Sequence, residues 1–378
     1  MRRRRGEELD RVPLNCKTEV ARGWYRKDET MIKQIVTSSK QAARRFRKRF
    51  ARAPLILLYH RVADLESDPQ LLSVTQSHFA EHLHILRQHA RPMELREMVR
   101  ALRENNLPRK AVVVTFDDGY ADNLYNAKPL LERYDIPAPV YVSSGYVDTG
   151  REFVHDTLEG LFLQPGRLPQ QLALTIRGRT HQWDLGEESY YSEDAHRRNR
   201  AWHVQKVEKP TLRQHVYQSL CQLVYTLSDA ERRSALDALM RWAGIQSVCR
   251  PAYRVLGAGE IRMLAEGGLV DVGAHTVAHP VLSALPSVDQ RDEVQRSKAC
   301  LEEILSRPVT SFAYPYGTRS DYTAETVAIV REVGYDHACS NFEGLVRQGT
   351  DPWQLPRFLV RDWDGEKFSC LLRDWQGM

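Results

Sequence analysis

The six-residue run Ala111 to Phe116 (AVVVTF), which stops at two adjacent carboxylates, Asp117 and Asp118, constrains this chain more than any other feature. A short β-branched run without polar alternation reads as a strand buried on both faces, the pattern of a parallel sheet covered by helices. Two carboxylates at the end of such a strand repel each other in a poorly solvated place, so they ask for a cation. Parallel sheets and barrels gather functional groups at the carboxyl ends of their strands, which is where this pair falls. Gly119 then allows a close turn. The competing reading is that one aspartate only caps the following helix.

Further runs repeat the pattern. Pro54 to His60, Pro139 to Ser143, Leu269 to Val272, Ser311 to Tyr314 and Leu355 to Val360 read as strands. Apolar residues at helical spacing predict helices through Phe79, Leu83 and Leu86, through Leu95, Met98, Val99 and Leu102, and over 122–134, 289–305 and 324–332. Strand and helix alternate, so the expected fold is α/β: a distorted (β/α) barrel of parallel strands over 53–150 and 255–378. Between them, 151–254 breaks the alternation with polar sequence and helical patterns around 212–226 and 229–242, and reads as an inserted, mostly helical subdomain.

With 378 residues, 42% of them apolar, the chain can bury a substantial core. Its six cysteines show no CxxC spacing, which argues against a zinc knuckle or a disulfide-stapled module and for a reducing compartment. No run reaches the ~20 apolar residues of a membrane span. The net charge of +5 is local in origin: residues 1–52 hold 17 Lys/Arg against 6 Asp/Glu, leaving a net −6 for the rest. That stretch reads as a solvated, partly disordered tail or as a basic helix on anionic lipid, and Met31 offers a second candidate start. Nucleic acid is the weaker partner, since it rests on this tail alone. The expected location is cytoplasmic, peripheral to the inner membrane.

A second apolar run, within Leu269 to Leu282 (LVDVGAHTVAHPVL), ends at His275, and His279 follows four residues later. This spacing sets two imidazoles on one side of a helical turn or tight loop, and with one carboxylate they make a three-ligand face for a divalent metal. Alone, the pair reads equally as two hydrogen-bonded polar side chains. FAYPYG (Phe312 to Gly317) reads by itself as a strand leaving through a proline turn.

Taken together and in order, TFDDGY (Thr115 to Tyr120), HTVAHPVL (His275 to Leu282) and FAYPYG resemble the polysaccharide deacetylase family, carbohydrate esterase family 4. The resemblance implies Asp117 as base, Asp118, His275 and His279 as metal ligands, and the backbone N–H of Tyr316 in an oxyanion hole. It also exposes two departures. Ala313 stands where many members carry an arginine that tunes the base, and Arg357, in LPRF, is the candidate replacement, with a surface salt bridge as its alternative. The usual late Leu-x-His motif is missing, whereas Leu58-Tyr59-His60 ends the first predicted strand, so His60 is the expected general acid rather than a strand cap. Both departures resemble the poly-N-acetylglucosamine deacetylase branch.

The implied activity is metal-dependent removal of N-acetyl groups from an amino-sugar glycan or its precursor in surface polysaccharide biosynthesis. Zn2+ is the expected metal, with Co2+ or Ni2+ fitting the same ligands. O-acetyl ester, formamide or other amide hydrolysis needs only a different pocket. An inactive scaffold in a polysaccharide-assembly complex is the reading from a different class, and the complete set of His60, Asp117, Asp118, His275 and His279 argues against it.

Overall fold

In a computed structural model, residues 53–246 and 250–376 are described. The expectations for residues 1–52 lie outside them. AVVVTF forms a fully buried strand, and like strands assemble beside it into one parallel sheet. In chain order these are β1 (Leu55–Tyr59), the two-residue β2 (Arg91–Pro92), β3 (Ala111–Phe116) and β4 (Ala138–Val142). Pairing runs from β4 through β3 to β1, with β2 beside the start of β3. After the insertion come β7 (Val270–Ala274), β8 (Ser311–Ala313), β9 (His337–Cys339) and β10 (Phe358–Leu359), the labels β5 and β6 belonging to the insertion. The sheet order is β9-β8-β7-β4-β3-β1-β10, all pairs parallel, which makes a curled half-barrel with β9 and β10 at its two edges.

Alternation along β1 explains the layers. Leu55, Leu57 and Tyr59 pack outward with Phe79, Leu83 and Leu86 of α1 (Gln76–His89), while Ile56 packs inward with Val113, Tyr141, Ala313 and Cys339. The inner cluster is closed by Leu95, Met98, Val99 and Leu102 of α2 (Leu95–Arg103). Asp117 has the parity of Val113 and Thr115, so the sheet aims it at the inner side. The helix expected over 122–134 is split: a π-turn at Asn123–Ala127 precedes α3 (Lys128–Tyr134). Such turns are rare and frequent near functional sites.

The insertion has its own hydrophobic cluster, running from Leu158 to Leu239. It contains α4 (Val154–Phe162), α5 (Leu212–Val224) and α6 (Asp229–Ala243), close to the predicted helices. It also contains an antiparallel hairpin that the helical reading missed, β5 (Gln171–Ile176) with β6 (Arg179–Asp184). Gln171 to Ile176 does alternate exposed and buried residues, and the two-residue turn Arg177-Gly178 carries positive φ at both positions, as a tight hairpin requires. Among the described residues no helix is long and apolar enough to cross a membrane.

Candidate metal centre and active site

The site is assembled from residues that follow the carboxyl ends of β1, β3, β7 and β8, and from Arg357, which immediately precedes β10. Asp117 follows β3 directly, and its N–H donates to the Tyr59 carbonyl of β1 (3.0 Å). Asp118 then takes φ +74° and Gly119 φ +77°. A side chain at 119 would come within 3.0 Å of Val142, so glycine is required twice over, by dihedral and by space.

His275 follows β7. Its Nδ1–H donates to the Ala313 carbonyl (2.8 Å), leaving the Nε2 lone pair free to face the aspartates. The His-x3-His segment is a tight loop, not a helical turn, with φ +65° at Thr276 and +54° at His279. Non-glycine residues in this region cost of order 1 kcal/mol or more and persist only where their surroundings hold them. Here the hold is explicit. Thr276 Oγ1 accepts the His279 N–H (3.0 Å), Glu293 accepts those of Val277 and Ala278 (2.8 Å each), and Arg232 donates to the Ala278 and His279 carbonyls (2.7 and 3.0 Å).

Asp118, His275 and His279 converge. His275 Nε2 is 3.5 Å and His279 Nε2 3.4 Å from Asp118 Oδ1, and one donor atom from each of the three residues lies within 4.8 Å of the others. Nitrogen and oxygen ligands about 2.0–2.2 Å from a tetrahedral zinc stand about 3.4 Å apart, so the spacing fits. Asp118 Oδ1 is buried without a hydrogen-bond partner, as expected of an atom reserved for a cation. Burial alone would raise the Asp118 pKa, but His275, His279 and His60 more than offset it and hold the carboxyl ionised. His279 is pushed well below the ordinary histidine range, chiefly by burial, which favours the neutral ligand form.

Beside this centre, Arg357 Nη1 and Nη2 grip the two oxygens of Asp117 (2.7 and 2.6 Å). Arg357 is fully buried, so its alternative as a surface salt bridge is excluded, and its Nε donates to the Ser340 carbonyl (2.7 Å). It approaches from the segment before β10 on the inner face, with its guanidinium 5.8 Å from the centroid of the Tyr141 ring. His60 ends β1 with Nδ1 buried and unpartnered. Burial lowers its pKa, against the pull of Asp118 and Asp117. Tyr316 has φ +58°, its ring meets that of His279 edge-on (4.8 Å), and its backbone N–H donates to no acceptor among the described residues. All seven residues singled out in the sequence therefore meet at one end of the sheet. His337 does not: it opens β9, in register with Ser311 at the amino end of β8.

Sequence reasoning missed Arg232 and Glu293. Arg232 shares the buried face of α6 with Ala235 and Leu239. A charge on the apolar stripe of an amphipathic helix was the available signal. Glu293, on α7 (Ser287–Leu305), carries no such mark.

A parallel half-barrel with a His-His-Asp cluster and an arginine-clamped carboxylate at its strand ends defines the class, a distorted (β/α) barrel with a candidate metal centre. The family model described as polysaccharide deacetylase matches residues 104–184 and 239–338, and the chain belongs to that family. The unmatched gap falls within the insertion. The poly-beta-1,6-N-acetyl-D-glucosamine N-deacetylase of Escherichia coli K12 is 34% identical over 93 residues, 24% of this chain and 14% of that protein. The protein of the same name from Staphylococcus aureus NCTC 8325 is 33% identical over 85 residues, 22% of this chain and 29% of its own length. The similarity thus spans under a third of these relatives. IcaB from Ammonifex degensii superimposes with a TM-score of 0.52 at 21% identity, covering 86% of this chain and 97% of the other, and so shares the fold.

Proposed function

We propose that this protein hydrolyses the acetamide of an N-acetylated amino sugar within a glycan, releasing acetate. The single observation that carries the reading is the Asp118-His275-His279 cluster with an orphaned carboxylate oxygen, set beside the Arg357-clamped Asp117. Family membership and the names of the relatives support the substrate class.

The ligands would be Asp118, His275 and His279, with Zn2+ the default and Co2+ or Ni2+ compatible. A bound divalent ion supplies Lewis acidity, polarising the acetamide carbonyl and bringing the pKa of water toward ~7. The remaining work falls to protein groups. Asp117, oriented by Arg357, takes the proton of the attacking water. As the carbonyl carbon becomes tetrahedral, the unpartnered N–H of Tyr316 donates to the developing oxyanion, a contribution of about 3–4 kcal/mol in comparable sites. His60 delivers a proton to the departing nitrogen. Burial lowers its pKa and leaves it neutral at rest, so it takes up the water's second proton, from the hydroxyl of the tetrahedral adduct, and passes it to the nitrogen, while Asp117 keeps the first. The C–N bond then breaks, and acetate and the free amine leave.

The test is acetate release from N-acetylglucosamine oligosaccharides by apo and metal-reconstituted protein, with Asp117→Asn and His279→Ala alongside. Asp117→Asn should keep about one metal equivalent and lose at least ~100-fold in rate, while His279→Ala should lose the metal. Release unaffected by a chelator would overturn the proposal. Action in surface polysaccharide biosynthesis, in the cytoplasm beside the membrane, is part of the same proposal and is tested by fractionating cells and probing for the chain.

A further inference from the structure

The Tyr316 ring packs on His279, and beside it opens a cavity of about 630 Å³ walled by the insertion. Its basic side chains are Arg232 and His155, and no carboxylate lines it. Arg232 is 3% exposed, places Nη1 and Nη2 on the His279 and Ala278 carbonyls, leaves Nε without a hydrogen-bond partner, and forms no ion pair among the described residues. Two carbonyls need donors rather than a cation, so the charge of Arg232 is surplus to the loop it holds, and a charge this deep without a counterion is costly. His155 is held by its Nε2 on the Tyr120 hydroxyl (3.0 Å).

A second such cation stands on the His60 side. Arg361 is partly buried, gives Nη1 to the Leu71 and Gln70 carbonyls, and forms no ion pair among the described residues. Its charge adds to burial in lowering the His60 pKa. Gln70 is itself part of the cavity lining, so Arg361 adjoins the cavity from that side. The carboxylates nearby are already engaged. Arg357 holds Asp117, Asp156 takes the Tyr120 hydroxyl (2.7 Å), and Asp321 takes those of Tyr225 and Thr318 (2.5 Å each). Asp68 accepts the N–H groups of Leu72 and Ser73, as Glu293 accepts those of Val277 and Ala278, and these two feel the arginines only from beyond ion-pair distance.

We infer that this cavity receives an anionic oxygen group, a carboxylate or a phosphoryl group, carried by the acetamido sugar, so that the substrate is acidic. The inference rests on the deacetylase reading for its chemistry. Guanidinium groups are the side chains best matched to such oxygens, and the ligand would supply the counterion that both arginines lack. Arg232 lies in the stretch 185–238 that the family model leaves unmatched, and Arg361 lies beyond its last matched residue, so this preference belongs to this chain rather than to the fold it shares.

The test compares kcat/KM of full-length, metal-loaded protein for N-acetylglucosamine, its 6-phosphate, and N-acetylmuramic acid, which carries a carboxylate. An acidic sugar should be favoured about tenfold or more, and which of the two wins identifies the group. Arg361→Gln should cut that preference about tenfold, while Arg361→Lys keeps most of it; any change brought to His60 acts on all three substrates alike and drops out of the ratio. Arg232→Gln, assayed at saturating metal because its loop carries His279, should cut the preference similarly. In parallel, calorimetry follows binding of the three sugars to metal-loaded Asp117→Asn with and without Arg361→Gln. A neutral sugar as the best substrate, or an acidic preference that survives both Arg361→Gln and Arg232→Gln, as it would if the metal held the anion, would overturn the inference. If no sugar releases acetate, the deacetylase reading fails and calorimetry still decides the site: tighter binding of an acidic sugar that Arg361→Gln abolishes supports it, and equal binding of all three refutes it.

Discussion

Arg357→Met is the perturbation with the largest calculable consequence. The side chain is fully buried, grips both oxygens of the buried Asp117 and also serves the Ser340 carbonyl and the Thr115 hydroxyl. Methionine fills much of the same volume, so the principal loss is charge compensation. Removing one partner of a buried ion pair costs about 3–5 kcal/mol, because the other charge stays buried and unpaired. Against a total stability of about 5–15 kcal/mol, that raises the unfolded fraction roughly a thousandfold. The origin of the cost can be isolated in the Asp117→Asn background, where Arg357→Met strands no carboxylate and removes an already unpaired guanidinium, so it should cost at most about 1 kcal/mol. A double-mutant cycle should thus return a coupling of about 3 kcal/mol. Urea unfolding of metal-free protein is the assay, since a bound cation would mask part of the effect. Equal costs in the two backgrounds would refute the reasoning and leave Arg357 as a packing residue. Arg357→Lys should fall between, keeping the charge but not the two-pronged grip.

Other expectations are simpler. His60→Ala should keep its metal, lose amide hydrolysis and lose much less against an activated acetate ester whose leaving group needs no proton; equal losses would make His60 structural. Arg232→Met, which frees the loop carrying His279, should weaken metal affinity about 10- to 100-fold in a chelator competition, and an unchanged affinity would show that Thr276 and Glu293 suffice. His82 is fully buried between the Tyr59 hydroxyl and the Trp363 carbonyl, and burial lowers its pKa to about 4. Below the unfolded pKa of about 6.5 the unfolded chain takes up a proton that the native state refuses, so stability should fall by about 3 kcal/mol between pH 6.5 and 4 from this group. The gap between wild type and His82→Leu should narrow by that amount over the same range; a constant gap would exclude the assignment.

The sheet was legible because AVVVTF, PLILLYH and LVDVGAH announce buried parallel strands, and strand ends locate chemistry in such folds. Residue type and position pointed to two histidines with a carboxylate, while the choice of Asp118 over Asp117 came only from the family resemblance. The arginine was harder: nothing local to LPRF says that Arg357 turns inward, and only the vacancy implied by Ala313 pointed to it. The hairpin at Gln171–Asp184 was hidden because its polar, mostly exposed second strand lacks the apolar signal that the helices beside it carry. Arg232 was overlooked because its role lies in carbonyls of a loop 46 and 47 residues away, which no local pattern encodes.

The pairing of β1 with β10 has a consequence for how the molecule comes into being. Strand β1 is synthesised long before its outer neighbour, Phe358–Leu359, and the partner of Asp117 lies 240 positions downstream. Until β10 leaves the ribosome, a nascent chain holds β1 with one edge open and a carboxylate without its guanidinium. The end of the sheet that carries Asp117 therefore closes only with β10, and a chain released before Arg357 should be captured by chaperones or proteases rather than accumulate as a partly folded barrel.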